Sequence, residues 1–268
     1  MRSREFTTAS EAYLGVLADV LNNPEYRCAP RGQEILEVTD YMFSVTQPDA
    51  NPIVTLDPER NVTIAEYTKK EKDLYNSYSN RVEDFAKASK FWNHIANSDG
   101  TINSAYGYLI WGNQSMGNPK YEHTQRPVLD PASGEAVSLN LAVYRTPWQW
   151  CVEALKSDPD TRQATLVFSL PEHFYKGVKD FTCTRHAQFQ IRDNKLNMSV
   201  VMRSNDLQKG LVYDLPWFIS LIYKMVDELK ATYPNLQVGT YAHLAHSLHV
   251  YSKDVPAIQK MLGYESPG

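Results

Sequence analysis

Cysteine is scarce in this chain: 268 residues hold three, Cys28, Cys151 and Cys183, and no two stand in a C-x-x-C pair. An odd, scattered set of thiols suggests neither a disulfide framework nor a zinc site, and no metal is expected. Long apolar runs are missing as well. No stretch of 18 or more apolar residues is present, and the opening "MRSREFTTASEAYLGVLADV" lacks the continuous apolar region of a leader, so the chain reads as cytoplasmic with no membrane partner. No Gly/Ser-rich or Pro-rich stretch divides it, so residues 1–268 read as one domain, near the upper size that a single core supports. Blocks of like charge are absent too, and a net charge of -4 from 27 basic and 31 acidic side chains argues against a nucleic-acid partner. Any anion this chain binds must be held by a local basic cluster. What it does have is apolar and aromatic material: 43% hydrophobic residues, 12% aromatic, and 17 tyrosines whose hydroxyls need partners when buried.

Tyr13, Val16, Leu17 and Val20 fall at i, i+3, i+4, i+7 behind a Ser/Thr-rich start and predict an amphipathic helix. "GQEILEVTDYMFSVTQP" is rich in β-formers and stops at Pro48, which predicts a strand. Residues 63–97 are charged with scattered aromatics and read as two helices, after which "SDGTINSAYGYLIWG" predicts a turn and a short strand. Thr146-Pro147 opens a capped helix with Trp148, Cys151, Val152 and Leu155 on its apolar stripe, which makes Cys151 a core residue. "ATLVFSL" predicts a short buried strand, and "AQFQIRDNKLNMSVVMRS" predicts two strands about an Asp193-Asn194 turn. Leu215, Ile219, Ile222, Val226 and Leu229 space a long buried helix, "GTYAHLAHSLHVYSKD" reads as a strand, and "VPAIQKML" as a closing helix. Strands with intervening helices but no regular βαβ alternation point to the α+β class.

One segment carries chemistry at both ends. "CTRHAQFQIRDNKLNMSVVMRSND" opens on Cys183 and closes on Arg203-Ser204, a guanidinium fork beside a hydroxyl, which suits phosphate oxygens. A free thiol with a pKa near ~8.5 is a weak nucleophile at neutral pH unless cations lower it, and Arg185, His186 and Arg203 are close in sequence. The spacing Cys183, Gln188-Phe189, Arg203-Ser204-x-Asp206, Gly210 and then "DLPWF" resembles the thymidylate synthase superfamily. Further matches follow in chain order: "KEKDLY" around Glu71, "KFW" at Trp92, "SAYG" at Tyr106-Gly107, "DPDTR" at Arg162, and "SLHVYS" at His249 and Tyr251. Together they span roughly residues 10 to 260, and several motifs in the right order form a far more specific signal than any one of them.

The resemblance implies an α+β fold with a mixed β-sheet packed by helices, one sheet face forming a homodimer interface. It implies an enzyme that transfers one carbon from 5,10-methylenetetrahydrofolate to C5 of a pyrimidine nucleoside monophosphate, after a thiolate has added to C6. On this resemblance Cys183 matches the nucleophile and Glu71 the carboxylate that organises proton transfer. Arg203 and Ser204 match phosphate ligands, joined by Arg162 donated across the dimer interface and by Arg31, or Arg27 in its place, from a mobile loop. His249 and Tyr251 match ligands of the sugar hydroxyl, and Gln188 and Tyr106 belong to the same substrate set. Asp206, Trp92 and Gly210 match the folate side, with the carboxylate accepting from the pterin and the indole stacking on it.

One position departs informatively. Thymidylate synthases have an asparagine eleven residues after the phosphate arginine, and this chain has Asp214. An asparagine amide suits uracil, whereas a carboxyl group can accept from the 4-amino group of cytosine and share a proton with its N3. Asp214, with "DFTCT", "MRSNDLQKGLVYD" and Thr184 in place of a histidine, most resembles the phage-type deoxycytidylate hydroxymethylases, for which host cytoplasm is the implied location. The expectation is a (d)CMP 5-hydroxymethylase, with C5 methylation of (d)CMP or dUMP and a non-catalytic nucleotide binder as alternatives. Gln163 stands where most members have a second arginine, and the ending "GYESPG" does not resemble the family's closing tail.

Overall fold

The computed structural model describes residues 2–112, 126–129, 136–139 and 146–264. A mixed sheet runs through the molecule in the order β1 (Arg2–Phe6), β3 (Ile35–Val45), β10 (Gln237–Tyr251), β8 (Lys195–Met202), β7 (Thr184–Arg192), β6 (Thr165–Val167). Short strands β2 (Tyr26–Cys28) and β9 (Asn205–Asp206) add to β3 and β10, and β4 (Arg126–Leu129) pairs with β5 (Ala136–Leu139) in a separate ribbon. β1 with β3, and β10 with β8 and β9, are parallel, and the remaining pairs of the main sheet are antiparallel.

The predicted hairpin is present. Asp193 and Asn194 both take left-handed backbone angles, φ 50° and 57°, as a two-residue turn matching strand twist requires. Alternation then sorts the faces: Ala187, Phe189, Leu196, Met198 and Val200 point into the core, while Gln188, Gln190, Asn197 and Ser199 line the other, half-exposed face.

Helices cover the first face. α1 (Ala9–Asn22) is capped by the Thr8 hydroxyl and buries the predicted Tyr13, Val16, Leu17 and Val20. α5 (Pro147–Ser157) is capped by Thr146 and buries Cys151 completely, so its thiol is pushed up to about 12 by desolvation. α6 (Val212–Leu229) is the buried helix, and α7 (Val255–Met261) closes the described chain. Among the described residues no helix is long and apolar enough to cross a membrane.

Three sequence expectations change. The charged stretch gives α2 (Pro58–Asn76), α3 (Val82–Ala88) and the single turn α4 (Trp92–Ile95), because Asp57 caps a helix that starts before the expected point. Residues 108–112 form a wide helical turn, not a strand. The cause is packing at Gly107, where a Cβ would lie 1.9 Å from the Tyr75 carbonyl oxygen, and at Tyr106, whose ring packs against both Tyr75 and Trp217 at 5.6 and 5.5 Å. "ATLVFSL" yields only the three-residue β6, with Val167 47% exposed.

Candidate active site

The two ends of the hairpin meet. Thr184 pairs with Met202, and the Arg203 N–H donates to the Cys183 carbonyl at 2.9 Å, so the thiol and the guanidinium are cross-strand neighbours. Arg203 is clamped from three sides: Nε donates to Thr182 O at 3.2 Å, Nη2 to Phe181 O at 2.5 Å, and the cation lies 5.0 Å over the Phe181 ring. That leaves Nη2 3.6 Å from the Cys183 Sγ, with Ser204 half-buried beside it. Burial pushes the Cys183 thiol up. Arg203 pulls it down, Asp214 and Asp180 push it up, and Arg31 pulls it down.

Parallel pairing of β9 with β10 places Asp206 opposite His249. Asp206 caps the wide turn Leu207–Leu211, its Oδ1 accepting from the amides of Gln208 and Lys209 at 2.8 and 3.2 Å. Burial raises its pKa, and the adjacent His249 opposes that rise. His249 is 6% exposed and stands edge-on to Tyr251 at 5.5 Å. Arg31 takes a left-handed φ of 55° in the exposed turn Pro30–Gly32, and its charge reaches both Cys183 and Tyr251.

Behind the thiol lies a cluster of acids and phenols. On α2 the inward positions are Ile64, Thr68, Glu71 and Tyr75, a helical stripe in which a carboxyl group occupies a core position. Desolvation, then the charge of Asp214, raise the Glu71 pKa to about 8, against a lowering contribution from the Tyr75 hydroxyl. Asp214, in the first turn of α6, is raised to about 6 by desolvation, opposed by a hydrogen bond from Asn205 and reinforced by Asp206. Asn205 Nδ2 donates to Asp214 Oδ2 at 2.9 Å. The Tyr106 phenol is buried within reach of Thr184, Asp214 and Cys183.

Cys183, Arg203, Ser204, Asp206, Asp214, Glu71, Tyr106, His249 and Tyr251 thus converge at one end of the sheet, with the exposed Arg31 within electrostatic reach of Cys183 and Tyr251. Gly210 sits there too: a Cβ would come 3.3 Å from Asp214 Oδ2. Of the predicted residues, Gln188 and Arg162 lie elsewhere in the single chain. Gln188 is on the outer sheet face and donates to the Arg162 carbonyl at 3.2 Å, and the Arg162 side chain is exposed. Trp92 is 8% exposed, edge-packed on Phe85 at 4.8 Å, with the 58% exposed Phe91 next to it. Sequence reasoning missed Asn205, although it lies inside the quoted "RSND".

The thymidylate synthase family model matches residues 11–267. A deoxycytidylate 5-hydroxymethyltransferase of Enterobacteria phage T6 is 32% identical over 195 residues, 70% of this chain and 68% of the relative. A deoxyuridylate hydroxymethyltransferase of Bacillus phage SP01 is 38% identical over 271 residues, 95% of this chain and 61% of the relative. The thermostable thymidylate synthase A from Bacillus subtilis superposes with a TM-score of 0.63 at 18% identity, covering 97% of this chain and 86% of that one, which supports the fold. By its motifs, its fold and these matches, the chain belongs to the thymidylate synthase family.

Proposed function

We propose that the chain, as one catalytic domain, is a cytidylate 5-hydroxymethylase acting on dCMP, with CMP as the related substrate. The observation that carries this is Asp214: a partly protonated carboxyl group, set in the acid cluster behind Cys183, can donate to N3 of cytosine and accept from its 4-amino group. A uracil-reading site is the second reading, favoured by the name of the phage SP01 relative. Both relatives quoted are hydroxymethyltransferases, so a hydroxymethyl product is proposed over a methyl one.

The residues then take these roles. Arg203, Ser204 and Arg31 hold the phosphate, with Arg162 reaching in from a second copy across the half-exposed sheet face, where Gln188 also lies. His249 and Tyr251 bond the sugar hydroxyl. Cys183 Sγ, favoured as thiolate by Arg203 and Arg31, bonds to C6, and the ring π electrons move to C5. With a pKa of about 6, Asp214 has to take up a proton to bond N3, and that proton removes one of the charges that hold the thiol protonated, so base recognition and nucleophile activation reinforce one another. 5,10-Methylenetetrahydrofolate supplies the one-carbon unit when bound. Asp206 fits its pterin, because Oδ1 is engaged by backbone amides and Oδ2 is left for a donor, Gly210 leaves open the space that a Cβ would fill, and Trp92 is the indole that would stack on the ring. Glu71, mostly protonated at neutral pH, relays protons and holds the water whose oxygen ends in the product while Cys183 leaves C6.

Replacing Asp214 by Asn tests the assignment. Tritium release from C5-labelled nucleotides should shift from dCMP towards dUMP, and an Asp214→Asn enzyme that keeps its dCMP preference would sink it.

A further inference from the structure

Asn205 lies in β9 between the phosphate serine and Asp206, and it is 2% exposed. A buried amide has to bond with something. Its Nδ2 is placed by two contacts, 2.9 Å to Asp214 Oδ2 and 2.7 Å to Met202 Sδ, whereas its Oδ1 is buried with no partner among the described residues. Gly210 packs over the same spot: a Cβ there would meet Asp214 Oδ2 at 3.3 Å and both Asn205 amide atoms at 3.8 Å. The glycine therefore lets the turn close over an amide–carboxyl pair. From the surrounding elements Asp214 also faces Tyr67, Glu71 and Tyr75 of α2, Cys183 just before β7, Asp206 of β9, Tyr241 of β10 and Tyr106.

We propose that Asn205 is a positioning residue that selects the base through Asp214: its amide fixes Oδ2 as an acceptor oxygen, so a proton on the carboxyl sits on Oδ1, and its own unpaired Oδ1 is left to accept an amino group. An oxygen accepting an N–H cannot readily carry the acid proton on that side, so the carboxyl presents a donor from Oδ1 and an acceptor from Oδ2 in fixed order. That order matches N3 and the 4-amino group of cytosine. Against uracil it sets acceptors against O4, and an unpaired buried acceptor costs more than a missing contact. The inference rests on the cytosine reading of Asp214 and adds to it the group that orients the carboxyl.

The test compares wild type, Asn205→Ala and the near-isosteric Asn205→Asp, which keeps shape but removes the donor. Steady-state kcat/KM is measured on dCMP and dUMP across pH 5 to 9, with thermal melting to establish that each variant folds. The expected result is a loss of about tenfold in the dCMP-to-dUMP preference in both variants, the size of one charge-assisted hydrogen bond. The basic limb of the dCMP profile should also move to higher pH, because the amide no longer favours ionised Asp214. A folded variant whose base preference and basic limb both match wild type overturns the role of Asn205 and leaves the cytosine reading standing. A wild type that prefers dUMP overturns the cytosine reading, and the inference with it.

Discussion

Glu71→Gln should stabilise the protein while disabling it. The carboxyl group is 8% exposed on the core stripe of α2, and its pKa of about 8 in the folded chain lies above its ordinary value of 4.5. The folded state therefore holds a proton that the unfolded state has lost between those two values, and stability falls as pH rises through that window. At pH 7, 2.5 units above the ordinary value, the unfolded carboxyl is ionised and the folded one mostly is not, a difference of about 3 kcal/mol. Glutamine mimics the neutral acid and removes that penalty. In a chain of this size the gain corresponds to a rise in melting temperature of roughly 5–10 °C. Melting curves at fixed protein concentration should show the gap near zero at pH 4 and widening to pH 8, with turnover lost because an amide cannot relay a proton. A Gln variant no more stable at pH 7 than wild type, or a gap independent of pH, would refute the reasoning.

Two further outcomes follow from the same geometry. Cys183→Ser should abolish turnover while leaving nucleotide binding, measured calorimetrically, within a few-fold of wild type, since the phosphate and base contacts do not use the thiol; full turnover would remove the mechanism. Gly107→Ala should destabilise by about 3 kcal/mol or more in a denaturant titration, because the new methyl would meet the Tyr75 carbonyl at 1.9 Å; a change below about 1 kcal/mol would show that the turn can relax there.

The legible parts of this fold are those where one periodicity held without interruption. The β7–β8 hairpin shows strict alternation around Asp193-Asn194, two residues that tolerate left-handed backbone, and α1 and α5 show an apolar stripe behind a hydroxyl cap. β1 was illegible because only Phe6 is buried, while Arg2 and Arg4 pair with Glu25 and Asp19 at 3.5 and 2.9 Å, as suits an edge strand. α2 hid its inner face for a related reason. Thr68 and Glu71 occupy core positions, so the stripe is lost in a stretch that reads only as charged with scattered aromatics. The candidate site residues came from ordered motifs, and their convergence comes from long-range pairing: β9 on β10 brings Asp206 to His249, and the hairpin brings Arg203 to Cys183. Asn205 escaped because nothing in a linear motif shows that its amide meets a carboxyl group nine residues on.

Asp214 is proposed to make this a cytosine enzyme, and water to be its final nucleophile. Mass spectrometry of an equimolar mixture of dCMP and dUMP, incubated with the protein and 5,10-methylenetetrahydrofolate, tests both halves at once. The expected result is dCMP gaining CH2O, about 30 Da, well ahead of dUMP. Conversion of dUMP in preference would contradict the role given to Asp214, and a gain of CH2 alone would contradict water as the nucleophile.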